Sequence, residues 1–476
     1  MLERLTNRCD KIAFVMFCVL MADVCIFGAG KLVSVGPLTF RMILLVLTGI
    51  VALPVMIKNF PYLAKNKYTW VVGGFGIWLI LSAVLGIANQ NKTHLIITDL
   101  KGFLYFALFP IAMCLARTRQ RVERLSKVMM YSAAVMSLLH VLCIIWYLVD
   151  IESLRRFNDF ASSKHFFYIS YSISTTNVRI NFLSLPCLLF GCALSVYYQV
   201  KERTTWRKYL YAFVTAICLL AIILSYTRSI YLAAGVSALC AVIVCLIRTD
   251  RAQKKRLMAH LCASVAVFFV FIGGFRIATG TDYFRYGLER AFVGTSLANL
   301  LQNDEGTADP ADPTETTEGT DPSDATEPTE DEPPVEMDGL LASTVTSDSL
   351  RSQTVSDLMD NIGRSPIWGL GLGATIPSRP SGLNEYFFLD LCSKTGLIGL
   401  CLYLAPLVFA AWDLLKHLRA KSDTFHLAGI WAAGILGFVA YSYYTPCMNS
   451  SVGVMCYCCA MAVFQQTITE LSPKKK

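Results

Sequence analysis

Three arginines stand at or near the ends of long apolar runs: Arg41 in RMILLVLTGI, Arg179 in TTNVRINF and Arg228 in SYTRSIYLAAG. An ionised side chain is costly in hydrocarbon, so a charge placed there is a functional candidate by default. A guanidinium offers a planar fork of N–H donors that grips phosphate through two bonds at once. Three of them converging on one membrane face would suit a lipid-linked pyrophosphate. Taken singly, each arginine reads equally well as snorkelling toward lipid phosphates.

Other chemistries find little support. The six histidines are His94, His140, His165, His260, His417 and His426, and no spacing among them resembles a metal site. No Walker, Rossmann or nucleophile-elbow string occurs, and the glycines of RSPIWGLGLG follow no strand, so they fail as a dinucleotide fingerprint. Paired carboxylates suited to glycoside hydrolysis are absent from any ordered stretch. Neither a metal nor another cofactor is therefore expected.

The elements that must position the arginines are membrane helices. The chain has 476 residues, 55% of them hydrophobic and 16% charged, with a mean hydropathy of +0.51. That composition belongs to an all-α polytopic membrane protein. A span needs roughly 20 mostly apolar residues. About twelve candidates follow, near 12–30, 37–57, 69–88, 102–116, 128–149, 180–199, 209–225, 230–247, 258–275, 396–413, 427–444 and 452–467. The run at 102–116 is short and the turn at 225–229 is tight.

Basic residues set the expected orientation. With the N-terminus inside, the inner segments hold 26 of the 42 Lys and Arg, including RTRQRVERLSK, RTDRAQKKR and the terminal PKKK. Both termini are then cytoplasmic, and the three arginines share the outer face. No cleavable signal peptide is apparent. Residues 304–338 carry 14 of the 34 acidic residues and no Lys or Arg, which conceals how basic the rest of the chain is. The excess suits positive-inside loops against an anionic leaflet, not nucleic acid. The 17 cysteines lie almost wholly in the apolar runs, so they read as small packing residues rather than disulfide or metal partners.

The expected organisation is spans one to nine over 1–275, one large extracytoplasmic loop over 276–395, and the last three spans with a basic cytoplasmic tail over 396–476. Within the loop, the acidic, Pro- and Thr-rich tract 303–338 cannot bury enough apolar surface to order and reads as disordered. Leu350, Val355, Leu358, Met359 and Ile362 fall near helical spacing, predicting an amphipathic helix over about 348–363 capped by Asp348 or Ser349. Arg364-Ser365-Pro366 stops it, and Gly369, Gly371 and Gly373 form a flexible turn. Tyr386, Phe387, Phe388 and Leu391 predict an interfacial aromatic segment, and Gly396 and Gly399 allow close packing of the helix that follows.

Four of these strings, in order over about 230 residues, resemble the O-antigen ligase and O-antigen polymerase superfamily of bacterial envelope glycan enzymes. SYTRSIYLAAG is similar to its Ser-x-Ser-Arg-x-x-x-Leu stretch, and RSQTVSDLMDNIGRSPIWGLGLG to its amphipathic helix and Pro-x-x-Gly-x-Gly turn. GLNEYFFLDLCSKTGLIGLCLYL resembles its His-Asn-x-Tyr-Leu segment running into a glycine-bearing helix, and Arg179 is placed like its other outer arginine. The resemblance implies glycosyl transfer from an undecaprenyl-pyrophosphate-linked oligosaccharide at the outer face of a bacterial cytoplasmic membrane, making capsule, exopolysaccharide or wall glycan. It implies that Arg179 and Arg228 hold the pyrophosphate, to which the charge reading adds Arg41 on the same face, and that Asn384 and Tyr386 position the acceptor or loop. Membrane lipids and other polysaccharide-assembly proteins are the further partners it suggests.

One departure stands out. Where the family has histidine before Asn-x-Tyr, this sequence has Leu383. Glu385 or His165 would have to accept the proton of the acceptor hydroxyl, a carboxylate being adequate if burial raises its pKa. Two rival readings remain at this level: a transporter or flippase for lipid-linked glycan, and a non-catalytic assembly protein of the same fold.

Overall fold

A computed structural model describes residues 2–28, 34–35, 38–163, 167–171, 178–248, 251–279, 338–380, 382, 384–417 and 423–471. In chain order, helices α1 (Leu2–Phe27), α2 (Phe40–Lys58), α3 (Phe60–Lys65) and α4 (Lys67–Ala88) come first. α5 (Thr93–Phe103) passes through a 3-10 turn, Leu104–Ala107, into α6 (Leu108–Leu115). α7 (Arg119–Val149), α8 (Ile151–Ser163), α9 (Cys187–Lys201), α10 (Thr205–Leu224), α11 (Arg228–Arg248) and α12 (Arg251–Thr279) follow. The last four are α13 (Asp338–Arg364), α14 (Phe387–Lys416), α15 (Asp423–Tyr444) and α16 (Ser451–Leu471). Two short antiparallel hairpins interrupt the helices: β1 (Ser34–Val35) with β2 (Leu38–Thr39), and β3 (Phe167–Tyr171) with β4 (Val178–Phe182).

Among the described residues, eight helical stretches are long and apolar enough to cross a membrane, and three shorter apolar helices accompany them. The expected all-α membrane architecture is what the chain adopts. Several boundaries differ from those read off the sequence. The short run at 102–116 is the second half of a stretch from Thr93 to Leu115, broken by the 3-10 turn. The run at 180–199 is not one helix. Residues 178–182 form β4, and the helix starts only at Cys187, after the turn at 183–186. The amphipathic helix starts ten residues before its expected N-cap, so Asp348 and Ser349 lie inside it. Tyr386, Phe387 and Leu391 are buried: Phe387 and Leu391 join the main core, and Tyr386 packs with Leu358 and Ile376. The acidic residues 303–337, His165, Leu383 and the tail 472–476 lie outside the described residues.

The bundle is organised around α16, whose residues Ser451–Phe464 are all buried. Its sequence explains that position: VGVMCYCCAMAV has no charge and small to medium side chains all round. Cys456, Cys458 and Cys459 are free thiols there with no exposed surface, packing as small apolar groups. Around one side of α16, Phe75, Phe106, Phe387, Tyr403 and Tyr457 meet edge to face at centroid distances of 5.3–6.0 Å. The Tyr457 hydroxyl donates to the Tyr403 carbonyl (3.0 Å).

Helix α15 is held against α11 by small residues one turn apart, Gly429, Ala433 and Gly437. Lipid provides no hydrophobic drive for two helices to meet, so close backbone approach must supply the attraction. A Cβ placed at Gly437 would sit 2.8 Å from the Ala233 carbonyl oxygen. We expect Gly437→Leu to destabilise the fold by on the order of 1–3 kcal/mol through overpacking, read as a lower Tm of the purified protein. An unchanged Tm would show that α11 and α15 need no such approach.

Candidate functional site

The segment after α13 is sewn to the bundle through its backbone. Leu370 N–H donates to the Ser393 carbonyl (2.9 Å), Gly371 N–H to that of Lys394 (3.0 Å) and Leu372 N–H to that of Ser82 (3.0 Å). Leu397 N–H returns to the Pro366 carbonyl (2.8 Å). Asn89 and Asn91 amide groups donate to the carbonyls of Leu370 (3.0 Å) and Leu372 (2.9 Å). The turn expected to be flexible is instead fastened to α4, α5 and α14. Glycine is obligatory at two points. Gly371 has φ +84° and would place a Cβ 2.2 Å from the Gly86 nitrogen. Gly396 has φ +67° and breaks α14, with a Cβ position 2.1 Å from the Ile367 oxygen. A side chain at either place would collide with backbone.

Beside this turn lies a buried charge cluster. Lys394, whose side chain is 5% exposed, meets Asp99 Oδ1 and Asp390 Oδ2, each at 3.0 Å. Asp99 Oδ2 accepts the Gly373 N–H (2.8 Å), and Asp390 Oδ1 accepts the Asn384 amide. All four carboxylate oxygens are thus engaged, as buried ionised groups require. The cluster ties α5, the glycine turn and the start of α14 to Asn384. Sequence reasoning missed Lys394, Asp99 and Asp390, although Asp390 and Lys394 are four residues apart in one helix, a spacing that pairs opposite charges.

A second polar group lies nearer the surface. Glu385 Oε2 accepts from Arg351 Nε of α13 (3.1 Å), and its Oε1 from Arg379 Nη2 (3.0 Å). Ser378 N–H donates to Asp357 Oδ2 (2.9 Å). Leu358 of α13 packs with Ile376 and Tyr386 in a small separate core. Tyr386 also packs against Tyr443 (5.8 Å between centroids) and Tyr444 (6.1 Å) at the end of α15. Burial raises the pKa of the Tyr386 hydroxyl above the usual tyrosine value, and Arg351 and Glu385 are among the charges that act on it. The hydroxyl is therefore neutral near pH 7 and able to donate.

The three arginines occupy different settings. Arg41 is buried and bound to α1: its Nε meets Asp23 Oδ2 at 2.7 Å, and its Nη1 donates to the Gly28 carbonyl and to Ser451 Oγ (3.2 Å). Its charge is paired within the bundle. Arg179 lies in β4, paired with Ser170 of β3, and does not start a span. Arg228 is half-buried at the first residue of α11. The turn before it contains Tyr226, a non-glycine residue with φ +47°, which lets α10 reverse into α11 within three residues. Below that turn an apolar cavity of about 170 Å³ lies between α9, α10 and α11, lined by Leu189, Ala193, Leu219, Ile222, Ala234 and Ala238 among others.

Helices of spanning length, with a polar segment fastened across one end of the bundle, define a multi-pass membrane protein. Residues 213–404 match the family described as O-Antigen ligase. The match covers the Arg228 turn, α13, the glycine turn and the first half of α14, and it supports the resemblance to the O-antigen ligase superfamily. That match supports a role of the ligase and polymerase type in membrane glycan assembly. No curated protein matches the chain.

Replacing Lys394 by methionine would leave Asp99 and Asp390 buried without their cation. Removing one partner of a buried pair typically costs about 3–5 kcal/mol, and we expect a loss of that order in thermal melts of Lys394→Met. Adding Asp99→Asn and Asp390→Asn to the same protein should recover much of it. A Lys394→Met variant as stable as the parent would show that the cluster bears no structural load.

Proposed function

We propose that this protein joins glycan units carried on undecaprenyl pyrophosphate, at the outer face of the bacterial cytoplasmic membrane, as a polymerase or ligase of capsule, exopolysaccharide or wall glycan. The observation that carries the reading is the family match over residues 213–404, which joins the Arg228 turn and the α13–α14 segment in one unit. In this reading both termini are cytoplasmic and the α13–α14 segment faces outward, in keeping with the basic loops at the opposite ends of the helices.

The chemistry follows from charge. Breaking the bond between sugar and pyrophosphate leaves negative charge on the leaving group, and fixed guanidinium groups stabilise that charge as it develops. Arg179 and Arg228 take this role in the proposal. Arg41, already paired with Asp23, acts by fixing α1, α2 and α16 relative to one another. The cavity between α9, α10 and α11 offers an apolar path for the lipid tail below Arg228. Asn384 and Tyr386 position the acceptor segment, the first through Asp390 and the second through its neutral hydroxyl.

The proton of the acceptor hydroxyl is taken by Glu385 or by His165. Arg351 and Arg379 fix the two oxygens of Glu385. An acceptor hydroxyl that displaced one arginine arm would meet a correctly aimed carboxylate.

Arg228→Ala should lower polymer yield by about 10²- to 10³-fold, the scale of losing one preorganised charge stabiliser. Arg228→Lys should retain an intermediate yield, because lysine keeps the charge but not the fork. Membrane-fraction immunoblots and polymer sizing check this, and unchanged polymer from a membrane-resident Arg228→Ala protein would defeat the pyrophosphate reading in favour of a scaffold.

Glu385→Gln and His165→Ala separate the two bases. The one that acts should lose about 10²- to 10⁴-fold in transfer rate, measured with purified protein and lipid-linked donor. Normal rates from both variants would exclude either group as the proton acceptor.

A further inference from the structure

The tyrosines at the end of α15 have no part in the transfer just described. Tyr443 and Tyr444 are 47% and 43% exposed, and their rings meet edge to face at 4.9 Å and 82°. Aromatic residues at helix ends often serve only as anchors at the lipid headgroups. Here the polar segment is built onto them. Tyr386 leaves that segment, is itself buried and contacts both rings. Its neighbour Glu385 joins the patch to Arg379 and to Arg351 of α13. Tyr386 thus links the two exposed tyrosine rings to the segment in which Glu385 pairs with Arg379.

Such a grouping matches a sugar ring. A pyranose has an apolar C–H face and a rim of hydroxyls. Tyrosine rings cover the apolar face with little side-chain ordering, since each has only two torsions to fix. Arg379 contributes one of its five N–H donors to Glu385 through Nη2, and a guanidinium beside a carboxylate gives hydroxyls both a donor and an acceptor in fixed positions. The patch adjoins Asn384 and Tyr386, which the reading above assigns to the acceptor segment. Lipid headgroups would use the rings but would have no need of the Glu385 clamp.

We propose that Tyr443 and Tyr444, together with Arg379 and Glu385, form a saccharide subsite that holds a sugar ring of the glycan chain beside the transfer centre. The proposal rests on the glycan-transfer reading, yet it can be tested without turnover. The probe is a three-repeat oligosaccharide, free of lipid and phosphate, released by mild acid from the surface polysaccharide of expressing cells. It is titrated into the full chain in lipid nanodiscs of constant composition, followed by saturation-transfer NMR.

The parent protein should bind, and Tyr443→Ala/Tyr444→Ala should weaken binding by about tenfold or more, as loss of two ring contacts implies. Both side chains are substantially exposed, so truncation leaves no core cavity. Tyr443→Phe/Tyr444→Phe keeps the rings and should bind within about threefold of the parent. Arg228→Ala should bind the probe as the parent does, because the probe carries no pyrophosphate. No binding by the parent, or equal binding by the double alanine variant, overturns the subsite. Neither result bears on whether Arg228 supports transfer, so the two ideas fail separately.

Discussion

Lys394 can lie buried at the edge of the bundle only because Asp99 and Asp390 reach it from two directions. Asp99 lies 295 residues before Lys394, and Asp390 only four; their meeting fixes how the polar segment sits on the helices. Asp99 also takes the N–H of Gly373, and Asp390 takes the amide of Asn384. One buried cation therefore sets the register of the glycine turn and the direction of the loop that carries Asn384, Glu385 and Tyr386. Desolvating three charged groups is expensive, and an apolar trio would not hold two backbone turns in one orientation. The cluster reads as a device for position more than for stability.

The glycine contacts complete that constraint. Gly371 lies against Gly86, and Gly396 against Ile367, at separations that no Cβ allows. Backbone hydrogen bonds then join three parts of the chain as strands would in a sheet, although no sheet forms. Such a join matters for a site at a membrane surface. Groups that must stabilise a developing charge need to be in place before it appears, and a loop free to drift would have to be ordered at every turnover.

The sequence made much of this legible, and the losses have physical causes. Apolar runs and the spread of basic residues suffice for a membrane bundle, because hydrocarbon imposes a length that local composition must satisfy. Pro366 and the glycines after it mark the end of α13 for local reasons too. Long-range pairing is different. Nothing near Arg41 indicates that Asp23 neutralises it, since the two meet only when α1 and α2 pack. Nothing near Asp99 announces Lys394. Arg179 was misplaced because VRINF is as apolar as a helix end, and a run of five cannot distinguish strand from helix. The early start of α13 was missed because DGLLASTVTS lacks the spacing of its second half.

The fate of the arginines separates two uses of charge in this fold. Arg41 is surrounded by Asp23, Gly28 and Ser451 within the bundle, so its charge is already answered and serves the joining of α1, α2 and α16. Arg228 is placed differently. It opens α11 after a three-residue reversal that includes a left-handed tyrosine, a conformation of measurable cost for a residue with a Cβ. A looser turn would avoid that cost. Keeping it puts the guanidinium at the head of a helix and above an apolar cavity, an arrangement that suits the proposed ligand with its anionic head and hydrocarbon tail. The strained turn and the cavity below it support the same assignment, and each is independent of the charge that first drew attention to Arg228.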